Sequence, residues 1–179
     1  MLVVLNGYPG VGKLTIGIEL IRLIDGRLLD IHSVYNIAFA LTEYRTEAFY
    51  DTVRAVQSIA DERVLALPPE VPIVLTEILT KGSDWADECW RRLMTLAEAR
   101  RPLCMVHLRC DLEENKRRIH SEGRRLTRKP RDPAMAERNQ EGGAVLMGRD
   151  IANYLALDVT KLSAYHAASE IASWLESRS

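Results

Sequence analysis

Two apolar patterns alternate along the chain. Short continuous runs at residues 2–5, 27–31, 71–75, 103–108 and 155–159 read as buried strands. Between them lie longer stretches with apolar residues at helical spacing, at 14–24, 34–41, 46–67, 84–100, 111–123, 134–154 and 163–175. The first of these carries a stripe of Ile16, Leu20, Leu23 and Ile24, and Gly26 stands where a C-terminal cap belongs. Pro68 and Pro69 stop the third. Ser83 or Asp84 is placed to cap the fourth, and Asp111 to Glu114 has the form of a capping box at the head of the fifth. Strands alternating with helices predict an α/β fold: three layers, with a doubly wound five-stranded parallel sheet covered on both faces. Without repeat, linker or low-complexity tract, residues 1–179 read as one domain.

The junction between the first strand and the first helix carries the sharpest chemical signal. It is spelled Gly7-Tyr8-Pro9-Gly10-Val11-Gly12-Lys13-Leu14-Thr15. A glycine-rich turn between a strand and a helix is the context of a phosphate-binding P-loop, or Walker A motif. Gly7, Gly10 and Gly12 let the backbone turn inward and bring its N–H groups close to an anion. The opening helix adds the positive end of its dipole, and Lys13 a mobile point charge for the β- and γ-phosphates. Val11, Leu14 and Thr15 complete the cradle. Leu14 takes the place where Ser or Thr usually ligates Mg²⁺; Thr15 follows one residue later.

Composition narrows the partners. Hydrophobic and charged contents of 47% and 27% are those of a globular protein, and a net charge of −1 makes no electrostatic case for nucleic acid or an anionic membrane. No stretch approaches the ~18 apolar residues of a transmembrane helix. Cys89, Cys104 and Cys110 have no metal-ligand spacing, and with no secretory pattern they favour a reducing, cytoplasmic setting. Cys104, in an apolar run, reads as core.

Ligands of open parallel sheets bind beyond the carboxyl ends of the strands. Asp30, Glu77 and Asp111 each follow a strand. Asp30 is the candidate to orient an acceptor hydroxyl and take its proton; the alternative is a turn or N-cap residue. His32 is a candidate substrate contact or a packed histidine. Glu77 holds the position of the acidic residue that binds Mg²⁺ through water, or is a pocket carboxylate. Eight basic residues crowd 116–131, which reads as an arginine-bearing lid over a triphosphate, with Arg117, Arg124 and Arg128 facing the nucleotide. Tyr35, Phe39, Tyr44, Phe49 and Tyr50 are five of the chain's eight Phe and Tyr residues. Tyr35 and Phe39 share a helical face, as core or as the wall of a pocket for a flat or apolar acceptor. Arg45 and Arg54 lie near them for an acidic acceptor.

These parts resemble the small P-loop kinases of the adenylate, shikimate, gluconate and chloramphenicol phosphotransferase types. The Gly-Lys-x-Thr spelling looks like adenylate kinase, residues 29–33 like the acceptor-binding end of the second strand, 124–132 like the lid, and 158–163 like the loop that packs on adenine. The resemblance implies a strand order of 2-3-1-4-5 and Mg²⁺-ATP as donor to a small-molecule acceptor. It puts Thr15 at the α-phosphate, Thr160 beside the base, and Thr15 and Glu77 nearest the metal. It leaves an acceptor-binding insert at about 33–70 and a lid at about 117–133. Residues 35–67 match no nucleoside monophosphate site, and the pattern that marks shikimate as acceptor is missing.

The expected function is therefore ATP-dependent phosphotransfer to a small molecule, by an enzyme with room for a homodimer. Two alternatives are an ATPase module acting on a protein partner and a kinase of polynucleotide ends. A GTPase would need an aspartate that Asn115-Lys116-Arg117-Arg118 lacks, and an AAA-type motor a further helical domain.

Overall fold

A computed structural model describes residues 1–121, 132–142 and 145–178. In chain order the elements are β1 (Leu2–Asn6), α1 (Lys13–Leu23), β2 (Arg27–Asp30), α2 (Ile31–Leu41), α3 (Glu47–Ala66), β3 (Ile73–Glu77), α4 (Asp84–Ala99), β4 (Leu103–Arg109), α5 (Leu112–His120), α6 (Ala134–Glu141), β5 (Asn153–Asp158) and α7 (Ala164–Glu176). The sheet is all parallel, in the order β2-β3-β1-β4-β5. This is the expected three-layer P-loop architecture.

β1 lies at its centre because every residue in it is apolar or engaged. Successive side chains point to opposite faces of a strand. Val3 and Leu5 join Ile16 and Leu20 of α1 and Ile171 and Leu175 of α7 in one core. Leu2 and Val4 join Val64 of α3 and Leu93 and Leu96 of α4 in the other. A third, smaller core of Val34, Ala38, Phe49 and Val53 locks α2 onto α3, with Leu29 of β2 packed against it. Cys104 is fully buried, as its apolar run predicts.

The register brings the polar strand ends to one edge. Asn6 stands level with Glu77 and His107, and Asp30 with Thr76. Asn6 is fully buried and satisfied: its Nδ2 donates to the carbonyls of Leu79 (3.1 Å) and Met147 (3.3 Å), and its Oδ1 accepts from the Leu79 N–H (2.9 Å).

That tie explains one correction. Residues 134–154 do not form a single helix. α6 ends at Glu141 with Gly142 as its cap, and Leu146 pairs with Thr80 in an antiparallel bridge. Lys81 donates to the Val145 carbonyl and Met147 to the Leu79 carbonyl, so long-range backbone bonds replace the helical ladder. Smaller shifts occur elsewhere. α2 begins directly at Ile31, which makes His32 and Ser33 helical, and β3 begins at Ile73 because Val71 is held in a turn on Pro68. β5 starts two residues early, at Asn153. Gly123, proposed to end α5, lies outside the described residues; the helix closes at Ser121.

Candidate active site

Residues 7–12 join β1 to α1 as a turn that only glycine can make at two positions. Gly10 and Gly12 have φ of 93° and 98°, in the left-handed region. The loop is also pressed against its neighbours. A Cβ on Gly7 would stand 2.5 Å from the Leu108 carbonyl oxygen, and one on Gly10 2.6 Å from Asn115 Nδ2. Gly12 caps α1 without a side-chain hydrogen bond, and the first turn carries no acidic residue. Its N–H groups and positive dipole end thus remain suited to an anion. Lys13 is 9% exposed, and its Nζ donates to the carbonyls of Gly7 (2.6 Å) and Tyr8 (3.1 Å). Leu14 is half-buried and the Thr15 hydroxyl group belongs to an exposed residue; both line the cavity described below.

Two α5 residues that the sequence reading passed over hold this loop. Asn115, 2% exposed, donates to the Pro9 carbonyl at 3.0 Å. Arg118 donates to the carbonyls of Val11 (3.2 Å), Val159 (2.8 Å) and Thr160 (3.4 Å), which bridges the P-loop to the loop after β5. Their signal was present: Asn115, Arg118 and the buried Ile119 share one face of α5 by helical spacing. Arg117 instead reaches outward in a two-pronged pair with Glu114 (2.6 Å each), though it still lines the cavity. Hydrogen bonding to Arg117, with Arg118 beside it, holds the Glu114 carboxyl down at about 2. Thr160 fastens loops: its hydroxyl accepts from the Asp111 N–H, and its own N–H donates to Asp158 (both 2.9 Å). Asp111 caps α5 by accepting from the Glu114 N–H at 2.8 Å. Arg124 and Arg128 lie outside the described residues, as does most of the expected lid.

Asp30 stands at the N-cap position of α2 but makes no capping bond. Its Oδ1 accepts from Thr76 Oγ1 at 2.7 Å, and Thr76 in turn accepts the Ile31 N–H at 3.0 Å. A fully buried threonine thereby fixes the carboxylate and takes over the capping work. Glu77 is 7% exposed at the end of β3. Burial raises its pKa to about 7, against the pull of Arg92 and Lys13; Arg92 Nη1 lies 3.7 Å from Oε1. Arg92 is itself paired two-pronged with Asp61 (2.7 Å each).

A cavity of about 1070 Å³ joins the P-loop to Asp30; Glu77 is not among its lining residues. At one end are Gly10, Gly12, Lys13 and Thr15, with Arg117 and Arg118 beside them; Asp30 and His32 also line it. The rest of its wall comes from the α2–α3 corner and α4: Tyr35, Phe39, Tyr44, Tyr50 and Trp85. Core and pocket are therefore not alternatives for this stripe. Phe49 is 1% exposed and forms the floor, while Phe39 and Tyr44 are 36% and 61% exposed. Arg45 lines the cavity, but Arg54 does not: Glu88 and Asp51 hold it (2.6 to 2.9 Å), facing a separate hollow between α3 and α4.

The family model of the AAA domain (AAA_18) matches residues 3–142. The chain belongs to that family. No curated protein sequence matches it. Among solved structures, a protein from Chloroflexus aurantiacus superposes with a TM-score of 0.71 at 16% identity, covering 98% of this chain and 96% of its own. An unliganded sugar kinase from Janibacter sp. gives 0.62 at 19%, covering 98% and 94%. Shikimate kinase from Acinetobacter baumannii, in complex with shikimate, gives 0.62 at 18%, covering 99% and 93%. At these identities the AAA-family chain shares their fold. That fold is the one the small P-loop kinases have. Among the described residues no helix is long and apolar enough to cross a membrane, and no group of three His, Cys, Asp or Glu side chains is placed to hold a metal ion. Mg²⁺ needs no such cluster: it keeps several waters and binds through one or two oxygen ligands and substrate phosphates. Thr15 lines the cavity, where its hydroxyl is open to such a water-bridged ion, whereas Glu77 is buried beside Arg92 and is not part of the cavity lining.

Proposed function

We propose that this protein is a kinase that moves the γ-phosphoryl group of Mg²⁺-ATP to a hydroxyl of a small molecule. The observation that carries the reading is one cavity lined by both the P-loop and Asp30. In this reading residues 1–179 act as one kinase domain, with the acceptor insert at about 33–70 and the lid at about 117–133.

Gly7, Gly10, Val11, Gly12, Leu14 and Thr15 wrap the phosphates with backbone N–H groups, and Lys13 neutralises the β- and γ-phosphates. Mg²⁺, held by phosphates and water near Thr15, would screen charge on the phosphoryl oxygens. The acceptor oxygen attacks the γ-phosphorus, the bond to ADP breaks, and the hydroxyl proton passes to Asp30. Thr76 keeps Asp30 aimed. Arg117, with Arg124 and Arg128 of the lid, adds positive charge to the transferring group. Thr160 packs beside the base. A phosphate acceptor would meet repulsion from Asp30, whereas an alcohol has a proton to give it. The buried thiols suit a reducing, cytoplasmic compartment.

The test is acceptor dependence. ADP formation should rise when hydroxylated small molecules are added, with the phosphoryl group recovered on the acceptor by ³¹P NMR. Hydrolysis of ATP to inorganic phosphate at one rate, acceptor or not, would reject transfer. It would favour the second reading, an ATPase module, which membership in the AAA domain family supports.

A further inference from the structure

We infer that the acceptor is a planar aromatic molecule bearing a hydroxyl, an arene alcohol or phenol rather than a polyol or sugar acid; this rests on the kinase reading above. The cavity beyond Asp30 is walled by rings from three helices. Tyr35 and Phe39 come from α2, Tyr50 from α3 and Trp85 from α4, with Tyr44 on the turn between α2 and α3. Their centroids lie 4.7 Å apart for Tyr50 and Trp85, 5.8 Å for Phe39 and Tyr44, and 6.1 Å for Tyr35 and Phe39, within the range of direct ring contact. Trp85 Nε1 donates to the Tyr35 hydroxyl at 2.9 Å, so these two polar tips satisfy each other and leave ring surface toward the cavity.

The rim continues the same surface. The Arg45 guanidinium lies 5.2 Å from the Tyr44 ring centroid, a flat cation laid on a flat ring. Arg45 has φ of 66°, unusual outside glycine, and strain of this kind is retained where a turn must present a side chain. Phe39, Tyr44 and Ile78 are 36%, 61% and 36% exposed, yet all line the cavity. Apolar surface left open inside a concave site is surface for a ligand.

A polyol needs a donor or acceptor for each hydroxyl group, whereas most of the wall beyond Asp30 is ring surface. Ser83 Oγ is tied to the head of α4 by accepting from the Ala86 N–H at 3.1 Å, and Arg54 is paired with Glu88 and Asp51 outside this cavity. Asp30 and His32 line the phosphoryl end, where one hydroxyl would be oriented, while the Tyr44 and Tyr50 hydroxyls and Arg45 are the polar tips of the ring wall itself. Hydrophobic walls with a few placed polar groups are the arrangement that selects an apolar ring carrying a single reactive oxygen.

The experiment titrates the full chain, in the presence of a non-hydrolysable ATP analogue, with 2-(4-hydroxyphenyl)ethanol and indole-3-ethanol against glycerol, gluconate and shikimate. Trp fluorescence reads binding; ADP and acceptor phosphate read turnover with ATP. Nucleotide binding is read by thermal shift on the same samples. Saturable binding and phosphorylation of the arenes are expected, with binding weakened about tenfold in Phe39→Ala and Tyr44→Ala, the size of one aromatic contact. Both variants should keep the nucleotide shift, which reports that they fold, and Phe39→Tyr should restore arene binding. Arenes that do not bind, that bind both alanine variants as well as wild type, or that bind while only a polyol is phosphorylated overturn the inference and leave the kinase reading standing. Arenes that bind while ATP is merely hydrolysed to phosphate overturn both. No nucleotide shift in wild type overturns the kinase reading and the acceptor inference with it, and is told apart from failure of the inference alone because arene binding is read separately by fluorescence.

Discussion

The two ends of the cavity are built by different means. The phosphate end is backbone: a nine-residue stretch folds on itself, and glycines at positive φ fix its shape. The ring-walled end is side chains, brought from α2, α3 and α4 by the small core around Phe49 and Val53. A backbone site is specified locally, so its spelling is diagnostic wherever it occurs. A side-chain pocket is specified by packing, so its residues can change without a change of fold. The first end therefore speaks to the donor and the second to the acceptor.

Asp30, where the two ends meet, is the point at which the comparison breaks most readily. Asp30→Asn should lower kcat by about 10²–10⁴ while ATP affinity holds, since only proton transfer and orientation are lost. Thr76→Val should lower kcat less, by freeing the carboxylate rather than removing it. An Asp30→Asn enzyme with wild-type turnover would move the acceptor chemistry elsewhere.

Next in size is the response to pH at Glu77. Its pKa in the folded chain, about 7, lies above the ordinary 4.5. The folded state thus binds more protons than the unfolded one between these values, and stability falls as pH rises through that window. The Glu77 contribution to that fall is on the order of 3 kcal/mol. Glu77→Gln should flatten the pH dependence of urea midpoints between pH 4.5 and 7; an unchanged slope would contradict the burial argument.

Gly10→Ala asks whether the phosphate end is backbone-determined. The added Cβ meets Asn115 Nδ2 at 2.6 Å and demands a left-handed alanine, so stability should drop by about 1–3 kcal/mol and nucleotide binding should fail. The smallest effect belongs to Arg118→Met, which keeps the stem but leaves three carbonyls without their donor. ATP should bind about tenfold more weakly, with the acceptor KM unaltered.

The sequence displayed the two ends unequally. Lys13, the glycines and the five parallel strands were legible because periodicity and turn chemistry are local. The helix expected at 134–154 was not, since the bonds that replace it run to Leu79 and Lys81, more than sixty residues away. Asn115 and Arg118 escaped notice for a related reason: a basic stretch on a helix reads as solvated unless its contacts with a distant loop are known. Thr76 carried no signal at all, a hydroxyl in a buried strand whose worth depends on Asp30 next door in the sheet. Arg54 misled because its partner, Glu88, sits on another helix.

Thermal shift of wild type and Lys13→Ala with Mg²⁺ and a non-hydrolysable ATP analogue tests the central claim most directly. A ligand at a hundredfold over its Kd stabilises by ~2.7 kcal/mol, a rise of several degrees in Tm for a domain of this size. The account predicts that rise in wild type and its loss in Lys13→Ala, with the unliganded variant still folded by circular dichroism. An equal rise in both proteins, or none in wild type, would contradict a nucleotide site built on Lys13.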